Sequence, residues 1–265
     1  MIKLILSAPV PEMATAFEAI FSDVEGVEVI NAPFETIPEF DCMVSAANSF
    51  GLMDGGVDAA ITAFFGSQLQ SRVQQYIVSH YLGEQTVGTA FVIDSGDNAH
   101  PWLVHTPTMR VPLIIDGTDA VYNATRAALL AIHHHNRAAG DDKKICTVVF
   151  PAMGAGCGRV TPESVARQMK LAWLSIISPV QNISWQQATA CQVEVFNTTA
   201  YCPSTTCCPN ASTRYIGFGD YRTTCSRTGQ PCISLKHQAD DVLSGAYQQR
   251  DSHTQYNIWH SYSLR

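Results

Sequence analysis

Charge is scarce in this chain. Only 15% of its 265 residues are Asp, Glu, Lys or Arg, against about 25% in an ordinary globular protein. The balance is acidic: 16 Lys and Arg against 23 Asp and Glu give a net charge of −7. Up to Ser178 there are 10 basic and 18 acidic residues; from Pro179 on there are 6 and 5. Such a body does not suit non-specific binding to nucleic acid or to an anionic membrane, because both need cations to neutralise phosphates. A small anion is not excluded, since backbone N–H groups donate whatever the net charge. Long apolar runs are also missing. None approaches the roughly 20 residues of a membrane helix, and the apolar start meets Pro9, Pro11 and Glu12 without a signal-cleavage pattern. The expectation is a cytoplasmic chain with no membrane partner, whose residues 2–6 form a buried strand. A Gly-x-Gly-x-x-Gly turn in a first βαβ unit is lacking, which argues against a nicotinamide dehydrogenase. No internal repeat is visible.

Cysteine is present but placed awkwardly for metal. Cys42, Cys146 and Cys157 sit in or beside apolar strands, where a free thiol behaves as a small hydrophobe. Cys202, Cys207, Cys208, Cys225 and Cys232, with His237 beyond, do not follow the usual two-to-four-residue pairing of zinc ligands. His133, His134 and His135 are consecutive, so on a helix they point in different directions and form no single metal site. The reading is a chain without metal or cofactor.

The first two thirds alternate strand-like and helix-like patterns. Strands are expected over 3–7, 27–31, 42–46, 87–93, 102–106 and 145–150, and helices over 11–21, 56–65, 67–80, 119–136 and 162–177. This alternation predicts an α/β domain with helices on both faces of a mixed sheet. Thr161, Pro162 and Glu163 make a strong helix start. From about residue 179 the chain turns Ser-, Thr-, Gln- and Asn-rich, with 193–196 and 233–235 its best apolar stretches. It reads as a separate C-terminal extension, so that the expected division is 1–178 and 179–265.

Two glycine loops carry the chemistry. The first follows the strand at 42–46: Asn48, then Gly55-Gly56-Val57, then a helix with Asp58 in its first turn. The second follows the strand at 145–150 and contains Gly154, Ala155, Gly156, Cys157, Gly158 and Arg159, again leading into a helix. Free N–H groups and the helix dipole favour an anion at such a strand-to-helix turn. Parallel neighbouring strands would bring both loops to one carboxyl edge, where ligands bind in open α/β folds. A diphosphate between them is the expected ligand group.

The run VSAANSFGLMDGGVD, residues 44–58, resembles the Asn-Ala-Ala-Asn…Gly-Gly-Gly-Val-Asp signature of the macro domain, the ADP-ribose-binding module. PAMGAGCGRV, residues 151–160, resembles its second, diphosphate-binding loop. VGTAFVID, HTPTMRVP, YNATRAALLAI and ARQM are similar to the branch that includes ADP-ribose 1″-phosphate phosphatases. The resemblance covers about residues 2–178 and implies a three-layer α/β/α fold with a central mixed sheet. It also implies a partner, ADP-ribose or an ADP-ribosylated substrate, and hydrolysis at the distal ribose: of a 1″-phosphate, an ADP-ribosyl linkage or an acyl group. By that resemblance Asn48 contacts the distal ribose and positions a water, which Asp58 orients or activates. Gly55, Gly56 and Val57 offer backbone contacts to the α-phosphate, residues 154–158 wrap the β-phosphate and distal ribose, and Ala47 is a further ligand-binding residue. The family's first Asn is Ser45 here, a change expected to alter structural support only. Its adenine-binding Asp is replaced within Pro33-Phe34-Glu35, leaving Phe34 to stack on a base or Glu35 to accept from its amine. Arg159 is expected to offer a charge-assisted phosphate contact. A non-catalytic reader, or an assembly protein with a degenerate pocket, are the alternatives.

His105 reads as a satisfied buried histidine rather than a general base. Arg110 faces the cleft or forms a structural ion pair. Cys157 reads as loop packing, although a reactive thiol is the alternative.

Overall fold

The computed structural model describes residues 2–196 and, beyond them, only the strands Thr223–Thr224 and Pro231–Cys232. In residues 2–196, six strands form one sheet: β1 (Lys3–Ser7), β2 (Val27–Ile30), β3 (Cys42–Asn48), β4 (Phe91–Asp94), β5 (Trp102–Met109) and β6 (Thr147–Phe150). The order is β2-β1-β6-β3-β5-β4, parallel throughout except for β4, which runs antiparallel to β5 at one edge. The helices are α1 (Pro11–Phe21), α2 (Gly56–Phe65), α3 (Gln68–Tyr81), α4 (Ala120–Ala138), α5 (Pro162–Ile177) and α6 (Trp185–Phe196).

The central strands are apolar on both faces because both faces are covered. Their side chains alternate between two cores. Leu4, Leu6, Cys42, Val44, Val104, Val148 and Phe150 pack with α1, α4 and α5. Ile5, Met43, Leu103 and Val149 pack with Ile61 of α2 and with Leu69, Val73 and Ile77 of α3. The result is three layers, α/β/α, as the alternation of elements implied.

Three helices, 11–21, 56–65 and 162–177, have the expected bounds. The Thr161 hydroxyl accepts from the Ser164 amide at 3.4 Å and caps α5, and Pro at the first position suits both α1 and α5. The strands differ more. β4 starts at Phe91, not 87, because a turn intervenes: the Thr89 amide donates to Thr86 and Gly88 takes a positive φ of 82°. β6 starts at Thr147, not 145. The Ile145 amide is taken by Asn136 and that of Cys146 by Asp41, so these donors are satisfied by side chains and not by a strand. β3 runs on to Asn48 through a register shift at Ala47–Asn48.

One element was not expected. α6 lies where an irregular extension was read, and the compact first unit reaches Phe196. The Ser184 hydroxyl accepts from the Gln187 amide at 3.2 Å, a Ser-x-x-Gln helix start that was legible in the sequence. The Arg167 guanidinium in α5 donates to the carbonyls of Glu194 and Val195 at 2.8 and 2.9 Å, holding the last turn of α6. The second unit, 197–265, is described only by β7 (Thr223–Thr224) pairing antiparallel with β8 (Pro231–Cys232). Residues 233–235, Cys202, Cys207, Cys208, Cys225 and His237 lie outside the described residues. Among the described residues no helix is long and apolar enough to cross a membrane.

Candidate functional site

β3 and β6 are parallel neighbours, with Cys42 opposite Val148 and Met43 opposite Val149. Their carboxyl ends therefore open on one edge of the sheet, and the loops that follow face each other across a cleft of about 580 Å³. Ala47, Asn48, Gly55, Gly56, Val57 and Asp58 line it from the first loop, and Gly154, Ala155, Gly156, Cys157 and Gly158 from the second. Phe34 and Glu35 close a third side. Arg159 is not part of the lining; it is exposed, with a left-handed backbone at φ 53°.

Among the described residues, the amides of Gly156, Cys157 and Gly158 meet no acceptor. Those of Gly56, Val57 and Asp58 are the free donors of the α2 N-terminus. Two sets of amides thus border one space, an arrangement that suits an anion. The second loop is held in shape from behind. A Cβ on Gly158 would lie 2.4 Å from the Gly154 carbonyl oxygen, so glycine alone permits that approach, whereas a Cβ on Gly156 would meet nothing within 4 Å.

A scan against family models matches residues 44–169 to the macro domain. A macro domain-containing protein of Streptomyces coelicolor is 30% identical over 130 residues, 48% of this chain and 70% of that protein. The chain belongs to the macro domain family. An uncharacterized protein of Aquifex aeolicus is 32% identical over 129 residues, covering 49% and 70% of the two chains. Among solved structures, the Oceanobacillus iheyensis macrodomain with ADP aligns over 62% of this chain and 86% of its own, at 20% identity and a TM-score of 0.45.

In this macro domain the side chain of Asn48 serves its own loop. Its Oδ1 accepts from the Phe50 and Leu52 amides at 3.1 and 3.3 Å, and its Nδ2 donates to the Leu52 carbonyl at 2.7 Å. Both lone pairs are engaged; one N–H remains. Asp58 is buried, and the Ser45 hydroxyl donates to its Oδ1 at 2.6 Å. Its Oδ2 has no partner among the described residues. Burial raises the carboxyl pKa from 3.8 to about 6, against the lowering effect of the Ser45 bond. Ser45, read in the sequence as structural support, is among the described residues the one group that hydrogen-bonds this carboxylate. Nothing in the spacing of residues 45 and 58 marks the pair.

Phe34 lines the cleft but is only 3% exposed, and it packs edge-on against Phe64 at 5.4 Å between ring centres. Glu35 is exposed beside it. His105 is fully buried: its Nδ1 meets Gln85 Oε1 at 2.6 Å, its Nε2 has no partner, and burial lowers its pKa to about 3. Since Gln85 uses its Nε2 to donate to Thr89, Oε1 must accept, which puts the imidazole proton on Nδ1. Of the two readings of Arg110, the ion pair is the one seen: two bonds to Glu84 at 2.5 and 2.9 Å. His133 and His134 are exposed, and His135 bonds the Lys143 carbonyl at 2.9 Å.

Proposed function

We propose that the cleft binds ADP-ribose or a derivative of it, with the diphosphate held between the two glycine loops. The observation that carries this reading is the pair of unpartnered amide sets, residues 56–58 and 156–158, bordering one cleft at the carboxyl edge of β3 and β6. Family membership supports the same ligand. On this reading Phe34 and Glu35 border the base, while Arg159, exposed and outside the lining, leaves the phosphates to the backbone amides.

The chemistry we propose is hydrolysis at the distal ribose. Asn48 donates its remaining N–H to the sugar. A water at Asp58 Oδ2 attacks the group carried there; as the water oxygen bonds to that group, the group's bond to the ribose oxygen breaks, and the proton that Asp58 takes from the water passes to the released ribose oxygen. A carboxyl with a pKa of about 6 suits this role, being mostly ionised at neutral pH yet basic enough to accept. Amides at the loop ends offset the developing negative charge. The scheme uses no metal. One observation favours a second reading, a reader without turnover: both lone pairs of the Asn48 amide are committed to the loop, so it accepts no bond from a water or hydroxyl.

Titration calorimetry with ADP-ribose tests the binding, using the wild type and Gly156→Glu. Gly156 is preferable to Gly56 because Gly56 has a φ of 56° and any side chain there strains the backbone, whereas space over Gly156 is open. Micromolar binding lost in the variant supports the two-loop cleft; no heat from the wild type refutes it. Turnover lost in Asp58→Asn, with affinity kept within a few fold, separates hydrolase from reader.

A further inference from the structure

One buried acceptor near the Asp58 carboxylate is left without a donor. His105 is wholly buried, and among the described residues nothing donates to its Nε2. Leaving such a group unpaired is costly. The imidazole cannot turn over to relieve it. Its Nδ1 is committed to Gln85 Oε1 at 2.6 Å, and Gln85 is itself pinned: its backbone amide donates to the Ser49 carbonyl at 2.8 Å and its Nε2 to Thr89 Oγ1 at 3.2 Å. Along the sheet, His105 of β5 lies between Ser45 of β3 and Phe91 of β4. All three share one face: Phe91 belongs to the core under α2 and α3, and so do Met43 and Leu103, two residues before Ser45 and His105. Phe91 stacks on the imidazole at 5.2 Å between ring centres and carries no donor on its side chain. Ser45 does carry one, and it is spent on Asp58 Oδ1 at 2.6 Å.

We propose that His105 is a positioning residue for Asp58, acting through the Ser45 hydroxyl. With Asp58 ionised, Ser45 donates to the carboxylate and His105 Nε2 goes without. When Asp58 takes a proton, that proton sits on Oδ1 and is donated to Ser45 Oγ across the same contact. The Ser45 hydrogen is then free and turns to His105 Nε2. One proton enters, at Asp58; Ser45 and His105 neither gain nor lose one. The bond gained at His105 favours the protonated carboxyl, so the histidine makes Asp58 a stronger base although it does not line the cleft. Oδ2 stays free of Ser45 in both states. This deepens the proposed hydrolysis, and its bearing on turnover rests on that reading. The other titratable groups around Asp58 are Glu35, Asp54 and Cys157, all exposed. Toward His105 they are Tyr76 and Tyr81 of α3, at 4.1 and 6.1 Å from Phe91, with His80 exposed and stacked on Tyr76. The nearby charged side chains are engaged elsewhere: Glu84 pairs with Arg110, and Arg72 donates to the Ser95 carbonyl. Only burial and the Ser45 bond act on the Asp58 carboxyl.

The test is an NMR titration of the full chain without ligand, following the Asp58 carboxyl carbon and both His105 ring nitrogens. As pH falls through the Asp58 midpoint, the Nε2 resonance should move upfield as that nitrogen accepts a hydrogen bond, while Nδ1 keeps its proton throughout. Ser45→Ala should leave Nε2 flat through the Asp58 midpoint. His105→Phe should lower that midpoint by about 0.5–1 pH unit, because the protonated carboxyl loses the bond that the relay gives it. A histidine that only fills the core would leave the midpoint where it is. An Nε2 resonance that ignores the Asp58 midpoint in the wild type, one that still follows it in Ser45→Ala, or an unchanged midpoint in His105→Phe overturns the proposal. Should His105→Phe fail to fold, the wild type and Ser45→Ala decide it. Because ligand is absent, a failed relay leaves the proposed function standing, and a protein that neither binds nor hydrolyses ADP-ribose refutes that function without altering these titrations.

Discussion

At Asp58, burial and charge are in opposition, and the contest is measurable. The folded protein holds this proton to about pH 6, while the unfolded chain releases it near 3.8. Stability from this group is therefore fully present below pH 4 and is lost as pH rises through 6. Ionised at pH 8, the carboxylate costs on the order of 3 kcal/mol. Asp58→Asn keeps the shape and still accepts from Ser45, so thermal melts should show it more stable than wild type at pH 8 and equal to it at pH 4. His105 acts the other way: its pKa falls to about 3, so its contribution is present above 6.5 and lost as pH falls. The wild-type curve mixes the two groups, which is why the difference between variant and wild type is the readout. Two glycines of the second loop should also separate. Gly158→Ala drives a methyl to 2.4 Å from the Gly154 oxygen and should cost about 1–3 kcal/mol in denaturant unfolding. Gly156→Ala, with open space above it, should stay within about 0.5 kcal/mol. Equal effects would mean the loop is not held as described.

At the scale of elements, the strand-to-helix turns owe their position to pairings distant in sequence. The start of β6 is set by Asp41, whose Oδ2 accepts from both the Cys146 and Thr147 amides at 2.7 Å. Through β6 the same residue fixes where the second glycine loop begins. Helix α6 depends on α5 in a similar way. Arg167→Ala removes both bonds to its last carbonyls and leaves the cleft untouched. Hydrogen exchange should quicken over residues 185–196 by about 10-fold or more, corresponding to the loss of roughly 1.5–3 kcal/mol for bonds to a charged donor. ADP-ribose affinity should not change. Unaltered exchange would show that burial of Val195, not the guanidinium, docks the helix.

For the whole molecule, the acidic balance and the cleft chemistry make one joint prediction. A ligand held by backbone amides with no lysine or arginine in the lining loses little to salt, because fixed dipoles at contact distance are poorly screened. The ADP-ribose dissociation constant should change by less than about threefold between 50 and 500 mM NaCl. A steep dependence would indicate that Arg159 or another cation closes on the phosphate. The unit ending at Phe196 should retain that affinity when expressed as residues 1–196.

The sequence by itself determined most of the local elements and which residues border the cleft. The bounds of α1, α2 and α5 followed from apolar spacing, Pro and Thr caps, and the alternation of strand and helix implied the layers. Thirteen of the fourteen residues read from the two loops and the 33–35 turn line one cleft. These are short-range properties, set by turn chemistry and by periodicities of two and 3.6 residues. The tertiary structure alone decided which side chains answer one another. Ser45 meets Asp58, Glu84 takes Arg110, Gln85 fixes His105, and Arg167 holds α6. Each pair is separated in sequence and joined by the strand order β2-β1-β6-β3-β5-β4 or by helix packing. The shift of Asp58 to about 6 belongs to this second class. It comes from burial between layers, and no spacing along the chain encodes how much water a carboxyl loses when the layers close.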